Sequence, residues 1–158
     1  MRRKILTLMT FVLAGIISVS AQGTAEVQII HNSPDAAADS VDIYVNGNLA
    51  IPDLHFREAT AFTPLPAGIP LQVDIAPGNS TGVGQSVGTF NYNLTAGDTL
   101  VLVANGVLTP ANYNGAAAFD IDVFGSGQTA AAASGNTDVL VHHGSPDAPT
   151  VSVWETST

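Results

Sequence analysis

A short polar corner, used twice, constrains this chain more than any other stretch. Ile30-His31-Asn32-Ser33-Pro34-Asp35-Ala36 returns as His142-His143-Gly144-Ser145-Pro146-Asp147-Ala148. Each copy follows an apolar run, Val27-Gln28-Ile29-Ile30 and then Val139-Leu140-Val141. Each precedes a strand-like segment, Val41-Asp42-Ile43-Tyr44 and then Val151-Ser152-Val153-Trp154. Proline has no N–H to give to a ladder and fixes its own φ, so the incoming strand must end near Ser33. Ser-Pro-Asp fits a tight turn, with proline at the second position and a Ser or Asp oxygen free to accept a nearby backbone N–H. The chain therefore runs strand, sharp corner, strand. The two prolines stand about 110 residues apart, roughly the length of one small sandwich domain. That spacing predicts one complete module and the opening of a second.

Short strands separated by turn signals continue along the chain. The expected strands are Val27 to His31, Val41 to Val45, Thr60 to Leu65, Leu71 to Ile75, Val87 to Leu94, Thr99 to Ala104 and Phe119 to Phe124. Asn46-Gly47 is the strongest hairpin signal, because both residues tolerate φ > 0. Ala67-Gly68, Pro77-Gly78-Asn79, Ala96-Gly97-Asp98 and Asn105-Gly106 punctuate the rest. No segment combines helical periodicity, length and caps. The pattern predicts an all-β fold, an immunoglobulin-like antiparallel β-sandwich over residues 25–125. Residues 126–137 are small and polar and read as a linker or long loop. Residues 138–158 then supply either the opening strands of a second copy or strands that complete the first. Two strands cannot bury a core alone, so the first alternative makes the chain a fragment of a longer tandem protein and leaves Trp154 partly exposed.

Residues 1–21 read as a secretory signal peptide. Arg2, Arg3 and Lys4 form a basic start, Ile5 to Val19 is mostly apolar, and Val19-Ser20-Ala21 offers small residues before a cleavage point. The apolar run is short for a membrane span, and no other stretch is apolar enough for one. The expected location is the cell surface or the medium, with the periplasm as an alternative. Once the leader is gone, Arg57 is the one basic side chain against thirteen acids. Such a surface repels phosphate, which argues against nucleic acid and anionic membranes as partners and leaves extracellular proteins or glycans. The chain has no cysteine, so an exported form must rely on its own core.

The pattern His31-Asn32-Ser33-Pro34-Asp35-Ala36, then Val41-Asp42-Ile43-Tyr44-Val45-Asn46-Gly47, resembles the domain-of-unknown-function 4397 family of exported bacterial proteins. Phe56, Phe62, Leu65-Pro66-Ala67-Gly68, Leu71-Gln72-Val73 and Leu94-Thr95-Ala96-Gly97-Asp98 fit the same pattern. The resemblance runs from Val27 to about Phe124 and restarts at Val139. It implies an extracellular β-sandwich module, often in tandem, and transfers no catalytic residue. The second copy has Ser152 where the first has Asp42, so a duplicated role for Asp42 is not implied.

His31, Ser33 and Asp35 are the residue types of a hydrolase triad. Their spacing argues against one. Residues two apart on a strand share a face but sit roughly 6–7 Å apart at Cα, and the turn carries Asp35 away. Pro34 also lacks the N–H that such nucleophiles use as an oxyanion donor. The reading is a structural corner built from His31, Ser33, Pro34 and Asp35, repeated in His143, Ser145, Pro146 and Asp147. Asp35 and Asp147 would accept loop N–H groups, and His31 and His143 would line the corner.

His55 and the adjacent pair His142 and His143 lack zinc-site spacing, and no thiolate is present. Asp120 with Asp122, or Asp39 with Asp42, would suit calcium, but no calcium loop surrounds them. No cofactor is expected. Gly82 to Gly88 lacks phosphate-loop spacing and reads as a hairpin loop. Phe90 and Tyr92 alternate with polar residues and suit one face of a core. The expectation is a non-enzymatic exported module with a structural or adhesive role. A carbohydrate- or calcium-binding module is the alternative, and a hydrolase ranks last.

Overall fold

Alternation of apolar and polar residues decides which way each strand faces. In the computed structural model, which describes residues 23–114, 116–145 and 148–156, eight strands form. They are β1 (Thr24–His31), β2 (Ser40–Val45), β3 (Asn48–His55), β4 (Thr63–Pro66), β5 (Pro70–Pro77), β6 (Gly88–Asn93), β7 (Thr99–Asn105) and β8 (Asp120–Phe124). Ala25, Val27, Ile29 and His31 are buried and alternate with more exposed neighbours, so β1 turns one face inward.

One sheet has the order β4-β1-β7-β8 and the other β3-β2-β5-β6. Their inner faces share one core. Val27 and Ile29 of β1, Leu102 of β7 and Ile121 of β8 pack with Val41 and Ile43 of β2 and Val73 and Ile75 of β5. Phe90 and Tyr92 close the side of that core from β6. The fold is therefore an all-β sandwich, as the strand pattern predicts. All pairs are antiparallel except β1 with β7, which run parallel from Glu26↔Thr99 to His31↔Ala104. Among the described residues, no helix is long and apolar enough to cross a membrane. The proposed signal peptide, residues 1–21, lies outside them.

The third strand is not among the expected ones: β3 follows the Asn46-Gly47 turn, whose residues adopt φ of 48° and 79°. It is an edge strand, so Pro52 removes no ladder bond from the centre of a sheet. Its register against β2 slips between Val41 and Ile43 and again between Ile43 and Tyr44. These bulges break the period of two, which is why Leu49, Ile51 and Leu54 do not read as a strand.

The described residues of the second corner enter neither sheet. Residues 138–145 and 148–156 form no strand, and Trp154 is 82% exposed. Residues 126–128 and 138–140 nevertheless lie against the outside of the first sheet. Gly127 N–H donates to Thr99 O at 3.1 Å, and Val139 and Leu140 line a recess with Val101 and Val103. That cover accounts for the burial of Val101 and Val103 on the outer side of β7.

Candidate functional site

The first corner is a set of buried polar side chains bound to backbone groups. β1 ends at His31, which is fully buried, and the ring packs edge-on to Phe56 at 6.2 Å. His31 Nε2 lies 2.6 Å from Ala38 O, and Ser33 N–H reaches His31 Nδ1 at 3.4 Å. These partners define the neutral tautomer: Nε2 carries the proton and donates, while Nδ1 accepts. Ser33 Oγ donates to Gly106 O at 2.7 Å. Asp35 caps a 3-10 turn at Ala36–Ala38 by accepting from Ala37 N–H at 2.9 Å. Its other oxygen accepts from Leu108 N–H at 2.9 Å, and Tyr113 OH adds a contact at 3.3 Å. One carboxylate thus joins the corner to the 106–114 loop.

Both titratable groups favour the form that fits these bonds. Burial holds the His31 imidazole below its ordinary value, against the opposing effect of Ala38 O and Asp39. The Ala37 N–H beside Asp35 holds its carboxyl below the usual range, with Leu108 N–H and Tyr113 OH in support and burial opposing. A depressed folded value means stability present above the unfolded value and lost as pH falls. Stability should therefore decline first as pH drops below roughly 6.5, through His31, and again below about 4, through Asp35. Urea titrations across that range check this. A His31→Asn variant should lose the upper limb, and a wild-type curve flat from neutrality to about pH 5 would contradict the assignment.

The second copy is arranged differently. His143 is exposed, with Nε2 3.2 Å from Pro149 O, and Ser145 is exposed as well. Pro146 and Asp147 lie outside the described residues. The second copy instead meets the first. Gly144 sits so close to the Asn32 side-chain amide that a Cβ there would overlap it, and would also approach Asn105 Oδ1 and His142 Nε2.

That meeting helps to shape a cleft of about 860 Å³ at this end of the sandwich. Asn32 and Pro34 come from the corner, and Phe56 and Arg57 from the turn after β3. Asn112, Tyr113 and Asn114 come from the 106–114 loop, and His142, Gly144 and Ser145 close the far side. His142 Nε2 is sealed from solvent and lies 3.7 Å from Asp122 Oδ2, beyond hydrogen-bond range.

Two cleft residues hold backbone angles that L side chains rarely adopt: Arg57 at φ 72° and Asn114 at φ 45°. Asparagine tolerates this region and arginine does not, at a cost of about 1–2 kcal/mol. The surroundings fix Arg57. Its N–H donates to His31 O at 2.7 Å, Glu58 N–H donates to His55 O at 3.0 Å, and His31 N–H donates to Glu58 O at 2.9 Å. The guanidinium carbon stands 5.9 Å from the centre of the Phe56 ring. Sequence reasoning about motifs passed over this cleft. The available signal was Arg57 itself, the one basic residue beyond position 4.

Of the acidic residues considered for calcium, Asp39 is exposed, Asp120 accepts from Ile121 N–H at 2.8 Å, and Asp122 accepts from Asn105 Nδ2 at 3.4 Å beside the cleft residue His142. Asp42 is buried on the outer side of β2, where it accepts from Asp53 N–H at 2.9 Å and Ser80 Oγ at 2.5 Å. Asp74 on β5 is buried likewise and accepts from Gln72 Nε2 at 2.8 Å and Thr89 Oγ1 at 2.6 Å. Among the described residues, no three His, Asp or Glu side chains converge as metal ligands.

No curated protein matches the chain. A family model described as "Domain of unknown function (DUF4397)" matches residues 21–154, which takes in the first corner, both sheets and the second corner. The chain belongs to the DUF4397 family.

Proposed function

We propose that this chain is an exported, non-enzymatic sandwich module with an adhesive role, holding an extracellular ligand at the corner cleft. The observation that carries this reading is the commitment of the reactive side chains. Ser33 Oγ gives its proton to Gly106 O, His31 meets Ala38 O, and Asp35 is bound by Ala37, Leu108 and Tyr113. All three are buried, so a substrate has no approach to a nucleophile there. The adjoining cleft is of ligand size and holds strained residues, a combination found at binding sites. The basic, apolar start of the sequence fits export of such a module.

The test pairs a broad glycan and extracellular-protein array with a broad hydrolase panel, using the chain from residue 22. Binding without turnover is expected. Turnover that disappears in Ser33→Ala, at an unchanged melting temperature, would overturn the reading.

A further inference from the structure

We propose that the corner cleft takes an acidic saccharide, a chain carrying hexuronate units, with the Arg57 guanidinium on the sugar carboxylate. The proposal rests on the reading of the module as a binding domain and names its ligand class. Charge is the first argument. In a chain with thirteen acids, the cleft lining contains no Asp or Glu among the described residues and contains Arg57, the one arginine or lysine beyond position 4. Asp122 stands 3.7 Å behind His142 on the far side, so the field favours an anion at Arg57 and not elsewhere in the cleft. A planar guanidinium pairs with a carboxylate through two parallel N–H···O bonds, which sets orientation as well as sign.

Position is the second argument. Arg57 occupies the turn position that ordinarily takes glycine, because φ is positive there. Its backbone is fixed by the bond to His31 O, and its head is steadied by the Phe56 ring. The charge is therefore presented by a rigid turn, so little conformational freedom is lost on binding.

The rest of the lining decides between ligand classes. Asn32, Asn112 and Asn114 offer amides that both donate and accept, which suits sugar hydroxyls. Asn32 Nδ2 donates to Asn105 Oδ1 at 3.3 Å and Asn112 Nδ2 to Thr109 Oγ1 at 3.2 Å, which holds both side chains in place. The half-buried Phe56 and Tyr113 supply ring surface for the apolar side of a pyranose, and the Tyr113 OH contact to Asp35 orients that ring. A peptide bound as an added strand needs an open sheet edge, whereas this lining comes from turns and loops.

Calorimetry on the chain from residue 22 tests the proposal with three probes: a galacturonate oligosaccharide, its fully methyl-esterified form, and a short peptide with a free C-terminal carboxylate. The expected result is binding of the acid form, at least ~10-fold weaker binding of the ester, and a similar loss in Arg57→Gln. Arg57→Lys should recover part of the affinity, since it keeps the charge and loses the fork. Arg57→Gly guards against misfolding. It relieves the positive φ, should melt within a few degrees of the wild type, and should still fail to bind.

Equal binding of acid and ester, or unchanged binding by Arg57→Gln, would overturn the proposal and leave the binding-module reading intact. Tighter binding of the peptide would overturn the saccharide class. Silence from the galacturonate probe would overturn the proposal too. The module reading is then decided separately by the array, which carries ligands of every charge.

Discussion

Asp35→Ala is expected to destabilise the fold by about 2–4 kcal/mol, a large share of what holds a domain of this size together. The substitution removes the acceptor for Ala37 N–H, for Leu108 N–H and for Tyr113 OH together. Loss of the cap costs roughly 1 kcal/mol. An unmatched N–H at Leu108 and the abandoned tyrosine add about 1–3 kcal/mol between them. Asp35→Asn keeps the shape and one acceptor oxygen, so it should fall between the two. Urea unfolding measures the effect, read from the midpoint at constant m-value. A loss below about 1 kcal/mol for the alanine variant would mean that the 106–114 loop is held by something else.

Gly106→Ala is expected to cost about 4 kcal/mol. Gly106 has φ 74°, and an added Cβ would overlap the Ala118 carbonyl and lie 2.9 Å from Ala117 O. The left-handed backbone alone accounts for about 1–2 kcal/mol. The rest comes from backbone against backbone, which cannot rotate away. Val107 N–H donates to Ala117 O and Phe119 N–H to Val107 O, both at 2.9 Å, so the two limbs of the loop must part. The same glycine carbonyl accepts from Ser33 Oγ. The two variants therefore act on one clasp. Their double mutant should cost less than the sum of the singles by more than about 0.5 kcal/mol, and strict additivity would show the corner and the loop to be independent.

Much of the sandwich can be read from the residues. β1, β2, β5 and β7 announce themselves by alternation or by dense apolar runs, and the turns at Asn46-Gly47, Gly68, Gly97 and Gly106 all take positive φ. β3 does not, because its bulges at the sheet edge destroy the period on which such reading depends. Asp53 shows the local reason. It sits at φ 52° with its N–H on the buried Asp42 carboxylate, a side-chain bond across strands that no spacing rule encodes. The parallel pairing of β1 with β7 is equally silent, since residues about seventy apart meet only through topology.

The cleft was harder still to read. Its parts come from four separate stretches of chain, and the two that carry the corner motif contribute to one shared cleft rather than to a cleft each. The repeat of the corner pointed to a duplicated structure, yet Gly144 meets Asn32 rather than copying its surroundings. Val139 and Val153 carry strand-like residues, but without partner strands they remain exposed.

The central claim is that the first corner is a clasp, with an ionised Asp35 gripping backbone amides beside a neutral His31. A pH titration followed by NMR tests it most directly. The Asp35 carboxyl should titrate below the ordinary carboxylate range, the Ala37 and Leu108 amide signals should move with it, and His31 should stay neutral to lower pH than a free imidazole. An Asp35 that titrates at or above the ordinary value, with both amides indifferent to it, would contradict the account.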